Sequence, residues 1–473
     1  MEKIIGRNFE YQQLTSCCNS SRSEFVIIFG RRRIGKTFLV RSFFNDKFDF
    51  QYTGARNMSP KQQLENFAAS LQKYSKSQFP LVPKDWYEAF RFLQNYLESL
   101  PKQRRKIIFI DEMPWIDSPK SLFVNALENF WNGFALMRDD IVLVACGSAT
   151  SWMSDKLVDN QGGLHNRITR KIYLRPFTLN ECKEYLKYKK CNWDIYQTIQ
   201  CYMILGGVPF YYSLLDPQLS FVQNIDYLFF KQRGVLNGEF NELYNALFSN
   251  SDKYITVVRA LSQKREGLSR NEVIEKTKLS GGGLSKILDN LEKCDFITGY
   301  TKFKNPSKNT IYKLTDFYTL FYFRFIENVK TGDDEFWAHN FNSPKIYSWQ
   351  GYTFELVCMM HIGQIKQKLG ISGMATSVST WRSNNAEENT QIDLLIDRSD
   401  RTINVCEIKF SSEPYTISKD YESKLRMRNA IFRAETKTTK ALAVTFVTVF
   451  GVVPNVHSGI VQNEVTAEDL LAG

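Results

Sequence analysis

Two carboxylates, a lysine and a threonine stand at spacings that suit phosphate chemistry. The apolar run 25–29 empties into Gly30-Arg31-Arg32-Arg33-Ile34-Gly35-Lys36-Thr37. A loop framed by Gly30 and Gly35 can curl so that successive N–H groups converge on phosphates, and the helix that follows, starting near Phe38, presents its positive end to the same anion. Lys36 supplies a mobile cation, and the Thr37 hydroxyl is a hard oxygen ligand for Mg²⁺. A second apolar run, 107–110, ends in Asp111-Glu112. Asp111 can hold Mg²⁺ through water, and Glu112 can orient and deprotonate an attacking water. A third run, 141–146, delivers Gly147-Ser148 to the same edge. Ser148 could sense the γ-phosphate or the attacking water, or it could simply cap a helix. Together these residues point to a nucleoside triphosphate with Mg²⁺, and the loop does not distinguish adenine from guanine.

Positioning them requires an α/β core. The three apolar runs lack the alternation of a half-exposed sheet and predict buried parallel strands, with amphipathic stretches such as 85–100 between them as helices. From 178 to about 250 the pattern turns helical and aromatic-rich, as for a small lid. Residues 251–330 read as a helix–turn–helix followed by a strand pair. After a break at Thr331-Gly332-Asp333-Asp334, residues 340–473 form a last α/β unit. A chain of 473 residues suits about three such domains.

The net charge of +11 favours an anionic partner such as nucleic acid. Nine cysteines without a Cys-x-x-Cys pair, and only four histidines, give no zinc spacing and suit a reducing cytosol. The N-terminus has no signal-peptide core, and the apolar stretch 441–453 is short and broken by threonines and Gly451, so no membrane span is expected.

In the helix–turn–helix, Ser269 is expected to cap one helix, and Ser280-Gly281-Gly282-Gly283 to turn into the next. There Leu284, Ile287, Leu288 and Leu291 share a face, leaving Ser285, Lys286, Asp289 and Asn290 outward. Strands 296–300 and 310–314 would form a wing with Lys302, Lys304 and Lys308 at its tip as DNA phosphate contacts. Asp289 and Glu292, with no arginine on that helix, leave a protein-docking role open.

Near the C-terminus, Trp349 to Glu355 is expected to open a helix, and 390–396 and 402–410 to pair through the turn 397–401. Glu407 and Lys409 would project to one side, with Cys406, Ile408 and Phe410 on the other. Asp393 and Glu407 could share a divalent metal with Lys409 beside the attacking water, a set suited to phosphodiester hydrolysis.

Ile5-Gly6-Arg7 followed by Glu10, the arginine-rich loop 30–37, Asp111-Glu112, Gly147-Ser148-Ala149, Asn166-Arg167 before Leu174-Arg175-Pro176-Phe177, and Gly206-Gly207-Val208-Pro209 give the chain its resemblance to the archaeal-type ATPases of the AAA+/STAND group. The resemblance covers most of the chain. It implies a P-loop ASCE/AAA+ core with a helical lid and a winged helix, and ATP as the nucleotide. It also implies that Ile5, Gly6 and Arg7 border the adenine, that Pro209 lies near the nucleotide, and that Arg167 is the arginine finger, with Arg170 and Arg175 as neighbours. Arg33 and Ile34 within the loop, and Phe38 just after it, join the nucleotide-binding residues, although Arg31, Arg32 and Arg33 could equally face a partner protomer or solvent. A finger acting in trans requires a homo-oligomer.

The last unit resembles the PD-(D/E)XK nuclease fold that often ends this family. That resemblance implies a second Mg²⁺ or Mn²⁺ held by Glu355, Asp393 and Glu407, with Lys409 catalytic. Ile392 stands where the pattern has proline. Three functions follow as expectations: a cytosolic ATPase controlling DNA binding and metal-dependent cleavage, a nucleotide-driven assembly switch with a protein-docking winged helix and an inactive nuclease fold, and a DNA-binding regulator without turnover. An intact Glu112 argues against the last.

Overall fold

The computed structural model describes residues 3–472 other than 77–81, 103, 119, 159–162, 165, 233, 302, 304–309, 328–331 and 384–389. The chain divides into two units, Met1–Pro176 and Phe177–Gly473.

In the first unit β1 (Glu24–Phe29), β2 (Phe50–Thr53), β3 (Lys106–Asp111), β4 (Ile141–Gly147) and β5 (Arg170–Tyr173) form a sheet in the order β2-β3-β4-β1-β5. Every pairing is parallel. All residues of β1 and β4 are buried, which is why, after Glu24, their sequences read as apolar runs. The pleat divides β1 between two cores: Phe25, Ile27 and Phe29 face one, Val26 and Ile28 the other. The predicted amphipathic stretch is the helix Trp86–Ser99, which Asp85 caps by accepting from the Glu88 N–H at 2.8 Å. Its buried residues Trp86, Ala89, Phe90, Leu93 and Leu97 recur at helical spacing. Because β4 lies between β1 and β3, the phosphate loop and Asp111-Glu112 leave the same edge of the sheet, with Ser148 between them.

The second unit opens with helices from Leu179–Tyr188 to Glu239–Leu247. Next come the helix Ser251–Ser262, β6 (Leu268–Ser269), the helices Arg270–Thr277 and Gly281–Lys293, β7 (Ile297–Tyr300) and β8 (Ile311–Leu314). The three strands pair antiparallel in the order β6-β8-β7. Ser269 caps its helix in a reciprocal box with Glu272. Two local expectations are corrected. Gly281, Gly282 and Gly283 form the first turn of the second helix and are not the turn before it. Asn290 is buried, its amide donating to the Tyr254 hydroxyl at 2.7 Å, whereas Ser285, Lys286 and Asp289 are exposed.

The last part pairs β9 (Thr376–Arg382), β10 (Gln391–Arg398), β11 (Thr402–Lys409), β12 (Ala441–Thr448) and β13 (Asn463–Val465) in the order β13-β12-β11-β10-β9. β9, β10 and β11 are antiparallel. β11, β12 and β13 are parallel, and the helix Lys419–Thr436 makes the crossover from β11 to β12. Residues 349–355 do not open a helix, because Ser343 caps it at Pro344 and it runs to Met360, placing Glu355 well inside. One apolar core extends from Phe177 to Leu471. All nine cysteines are free thiols, and among the described residues no helix is long and apolar enough to cross a membrane.

Candidate functional site

The phosphate loop is shaped by what little space it has. Gly30 has φ of 144°, and a Cβ there would meet the Leu174 carbonyl oxygen at 2.3 Å and Ile34 Cδ1 at 2.7 Å. Arg33 and Gly35 are also left-handed, at 70° and 87°. Ile34 is 1% exposed and belongs to the core, so it anchors the loop through its side chain. Its carbonyl accepts from Arg7 Nη2 at 3.3 Å. The strand-to-helix turn is thus tied to the segment where Ile5 and Gly6 are half-buried. Lys36 is buried at the start of the helix Lys36–Phe43, its ammonium donating to the Gly30 and Arg31 carbonyls at 2.9 and 2.8 Å. Phe38, on the same helix, is 39% exposed.

Across the sheet edge, Thr37 Oγ1 donates to Asp111 Oδ2 at 2.8 Å. Burial pushes the Asp111 carboxyl up from its ordinary value, and the Thr37 bond opposes that rise by favouring the ionised form. Glu112 follows at φ of 48°, a strained conformation for a non-glycine residue. Its Oε2 accepts from Ser148 Oγ at 2.8 Å and from Trp115 Nε1 at 3.0 Å. Ser148 does not cap the next helix, whose N-cap is Ala149; its hydroxyl holds the glutamate instead. Thr37 and Asp111, a hydroxyl and a carboxylate in hydrogen-bond contact, fit the hard-oxygen preference of Mg²⁺. Arg167 is exposed. Arg170 donates to the Thr169 carbonyl, and the Arg175 guanidinium lies 5.8 Å from the Tyr173 ring centre.

Trp115 and the Arg7–Ile34 bond escaped the sequence reading. Trp115 stands three residues after Glu112, where a short helical turn brings the indole back to the carboxylate.

Residues 5–215 match the family described as an ATPase domain predominantly from Archaea. This stretch, somewhat under half of the chain, is similar to that ATPase domain. An uncharacterized protein of Methanocaldococcus jannaschii is 25% identical over 332 residues, 68% of this chain and 69% of that protein. Among solved structures, a Walker-type ATPase of Pyrococcus abyssi matches 68% of this chain and 96% of its own, at 18% identity and a TM-score of 0.49. The Aeropyrum pernix ORC2 protein matches 67% and 91%, at 12% identity and a TM-score of 0.41.

The second unit contains Pro209, Glu355, Asp393, Glu407 and Lys409. Pro209 begins the helix Pro209–Ser213, just after Gly206 and Gly207 end the preceding one. Glu407 and Lys409 share a side of β11 as expected, with 2.8 Å between Lys409 Nζ and Glu407 Oε1. The other Glu407 oxygen takes Arg428 from the crossover helix, and the Tyr421 hydroxyl also donates to this carboxylate. Burial would raise the Glu407 carboxyl, yet Arg428 and Lys409 hold it below its usual range. Asp393 lies where the β10–β9 register shifts, between Ile392 and Leu395, a bulge that re-aims side chains. The β10–β11 register, with Leu394 opposite Cys406, would place Asp393 next against Glu407. Burial pushes both Glu355 and Asp393 up; for Glu355 the Asp393 charge adds to the rise, and for Asp393 the Lys313 charge opposes it.

Among the described residues, no group of three His, Cys, Asp or Glu side chains is placed to hold a metal ion. Glu355, Asp393 and Glu407 do not form such a set, and both Glu407 oxygens are engaged by other side chains. Arg428, Tyr421 and Lys313 were invisible in the sequence, since they come from elements that only packing brings to β10 and β11.

Proposed function

We propose that this chain is an ATPase whose nucleotide state governs DNA binding by a winged helix in its second unit. The observation that carries the hydrolytic half is the pairing of Asp111 with Thr37 and of Glu112 with Ser148 at adjacent strand ends. Thr37 and Asp111 would hold Mg²⁺, whose charge when bound offsets that of the β- and γ-phosphates. Lys36 exchanges its carbonyl partners for phosphate oxygens, and Ile5, Gly6 and Arg7 border the adenine. Glu112 orients the water and takes its proton, while Ser148 and Trp115 fix the carboxylate so that little reorganisation is needed during the reaction. The exposed Arg167 serves as a finger toward a neighbouring copy, which makes the active form a homo-oligomer. Pro209 opens the third helix of a lid formed by residues 178–250.

The winged-helix reading of 251–330 rests on its element order, helix–strand–helix–helix–strand–strand, with a three-stranded antiparallel sheet. Arg270 reaches the start of the helix Gly281–Lys293, donating to the Gly281 carbonyl, and Lys286 is exposed on that helix. These side chains meet DNA. The wing lysines 302, 304 and 308 lie outside the described residues. Residues 340–473 are read as a nuclease-like fold from the three antiparallel strands followed by a helical crossover to a parallel one. Among the described residues its carboxylates are not placed as a metal set.

ATP turnover measured across protein concentration, with and without duplex DNA, tests the reading. Turnover per chain should rise with concentration and with DNA, and DNA binding should weaken steeply with salt. Turnover that ignores DNA would favour the assembly switch, for which Asp289 on the exposed helix face speaks. Turnover per chain that persists unchanged on dilution would remove Arg167 as a finger in trans.

A further inference from the structure

The second unit holds a cavity of about 420 Å³ that the reading above does not use, lined from the helices Ser251–Ser262 and Pro344–Met360 and the helical turn Tyr322–Ile326. Leu320 and Trp349 are buried in its wall, and the rings of Phe323 and Tyr352 are half-buried beside them. Three exposed arginines from three segments, Arg259, Arg265 and Arg324, complete it. Glu327 is the one carboxylate among the described lining residues, and it is engaged by Arg259. Glu266, next to Arg265 in the chain, lines a different cavity with Lys264 and Lys313.

Each guanidinium carries five N–H donors in a fixed fork. Arg265 Nη2 donates to Ser348 Oγ at 2.9 Å, and Arg324 makes no hydrogen bond or ion pair among the described residues. Two of the forks lie against rings: Arg259 is 5.1 Å from the Phe323 ring centre, and Arg265 is 5.6 Å from that of Tyr352. The wall itself is incomplete in one respect. Trp349 Nε1 is buried and has no hydrogen-bond partner among the described residues. A buried N–H without an acceptor is costly, and an acceptor carried into this cavity is the group that Trp349 lacks.

These features select a ligand class. Open guanidinium forks favour phosphate, whose oxygens can accept from several forks at once. An inorganic anion would leave the aromatic wall unfilled, and an apolar molecule would leave the arginines uncovered. A planar ring joined to a phosphate satisfies both, and the volume lies in the range of small-molecule sites. We propose that this cavity binds a nucleotide, its base against Phe323, Trp349 and Tyr352 and its phosphate on Arg265 and Arg324. The nucleotide is either free or one unit of a single strand, since both present the same groups. The site is separate from the phosphate loop, which belongs to the first unit, and it stands whether or not the chain hydrolyses ATP.

The test is photocrosslinking of the full chain, without ATP, to 5-iododeoxyuridine monophosphate and to a single-stranded hexamer of the same nucleotide. The iodinated base joins to aromatic side chains, and mass spectrometry of the peptides should place the adduct on Phe323, Trp349 or Tyr352. Arg324→Ala should lower that labelling about tenfold at sub-saturating probe. Arg324→Lys, which keeps the charge and loses the fork, should recover only part of it. Both variants should melt as wild type does, because Arg324 is exposed. Labelling by both probes assigns a free nucleotide, and labelling by the hexamer alone assigns a unit of a strand; either upholds the site. No adduct on these rings from either probe, or labelling that Arg324→Ala leaves unchanged, would overturn it.

Discussion

The two units each bring carboxylates to strand ends beside a lysine, and they treat those carboxylates differently. In the first, the donors that hold Asp111 and Glu112 are neutral: the Thr37 and Ser148 hydroxyls and the Trp115 indole. In the second, Glu407 is held mainly by charge, by the Lys409 ammonium and the Arg428 guanidinium beside the Tyr421 hydroxyl, while Asp393 accepts from the Gln391 amide at 3.2 Å. Neutral donors orient a carboxylate without consuming its charge, so it remains available to a cation or a proton. Cationic donors fix it equally well but use that charge up. The first arrangement suits chemistry and the second suits structure or regulation.

The largest effect expected from this contrast is at Glu112. Glu112→Gln keeps the shape and loses the base, and ATP turnover should fall about 10²–10⁴-fold, while ATP binding, measured by fluorescence titration, stays within a few-fold. Next comes Arg428→Ala, which strands the buried Glu407 charge with Lys409 alone. Chemical denaturation of the second unit should show a loss of about 3–5 kcal/mol, with ATP turnover by the first unit retained.

Asp140 sharpens the comparison inside the first unit, because it is a cation-held carboxylate at the opposite sheet edge, paired with Arg138 at 2.8 Å and with Lys106. Burial opposes its ionisation, yet Arg138 and Lys106 hold its pKa down to about 2. Its folded value lies below the unfolded one, so its stabilisation is present above the unfolded pKa and lost as pH falls through the folded one. Asp140→Asn should therefore cost about 2 kcal/mol at neutral pH, a difference that vanishes on acidification through the window between 4 and 2, without lowering turnover. The smallest effect is at Ser148. Ser148→Ala should slow hydrolysis about tenfold, as for groups that orient a reacting residue, and leave the melting temperature nearly unchanged.

The contiguous parts of the nucleotide site were readable because a buried parallel strand advertises itself as an apolar run and a phosphate loop needs glycine at fixed places. Gly30 to Thr37 and Asp111-Glu112 each occupy one such segment. The strand order was not readable, since nothing local in residues 141–147 says that β4 lies between β1 and β3. β2 and β5 escaped for another reason: they are four residues each, with Gln51, Arg170 and Lys171 interrupting the apolar pattern. In the second unit the side alternation of Glu407 and Lys409 followed from strand geometry alone. Lys313 and Arg428 could not be foreseen, because their meeting with the carboxylates depends on how a separate sheet and a crossover helix pack. The three glycines 281–283 misled for a local reason: glycine favours turns, but it also starts a helix where nothing crowds it.

The contrast between the two carboxylate sets is tested most directly by counting Mn²⁺ bound to the wild-type chain with a non-hydrolysable ATP analogue. The expected result is one tightly bound ion per chain that disappears in Asp111→Asn and persists in Asp393→Asn. An ion that survives Asp111→Asn and is lost in Asp393→Asn would contradict the account.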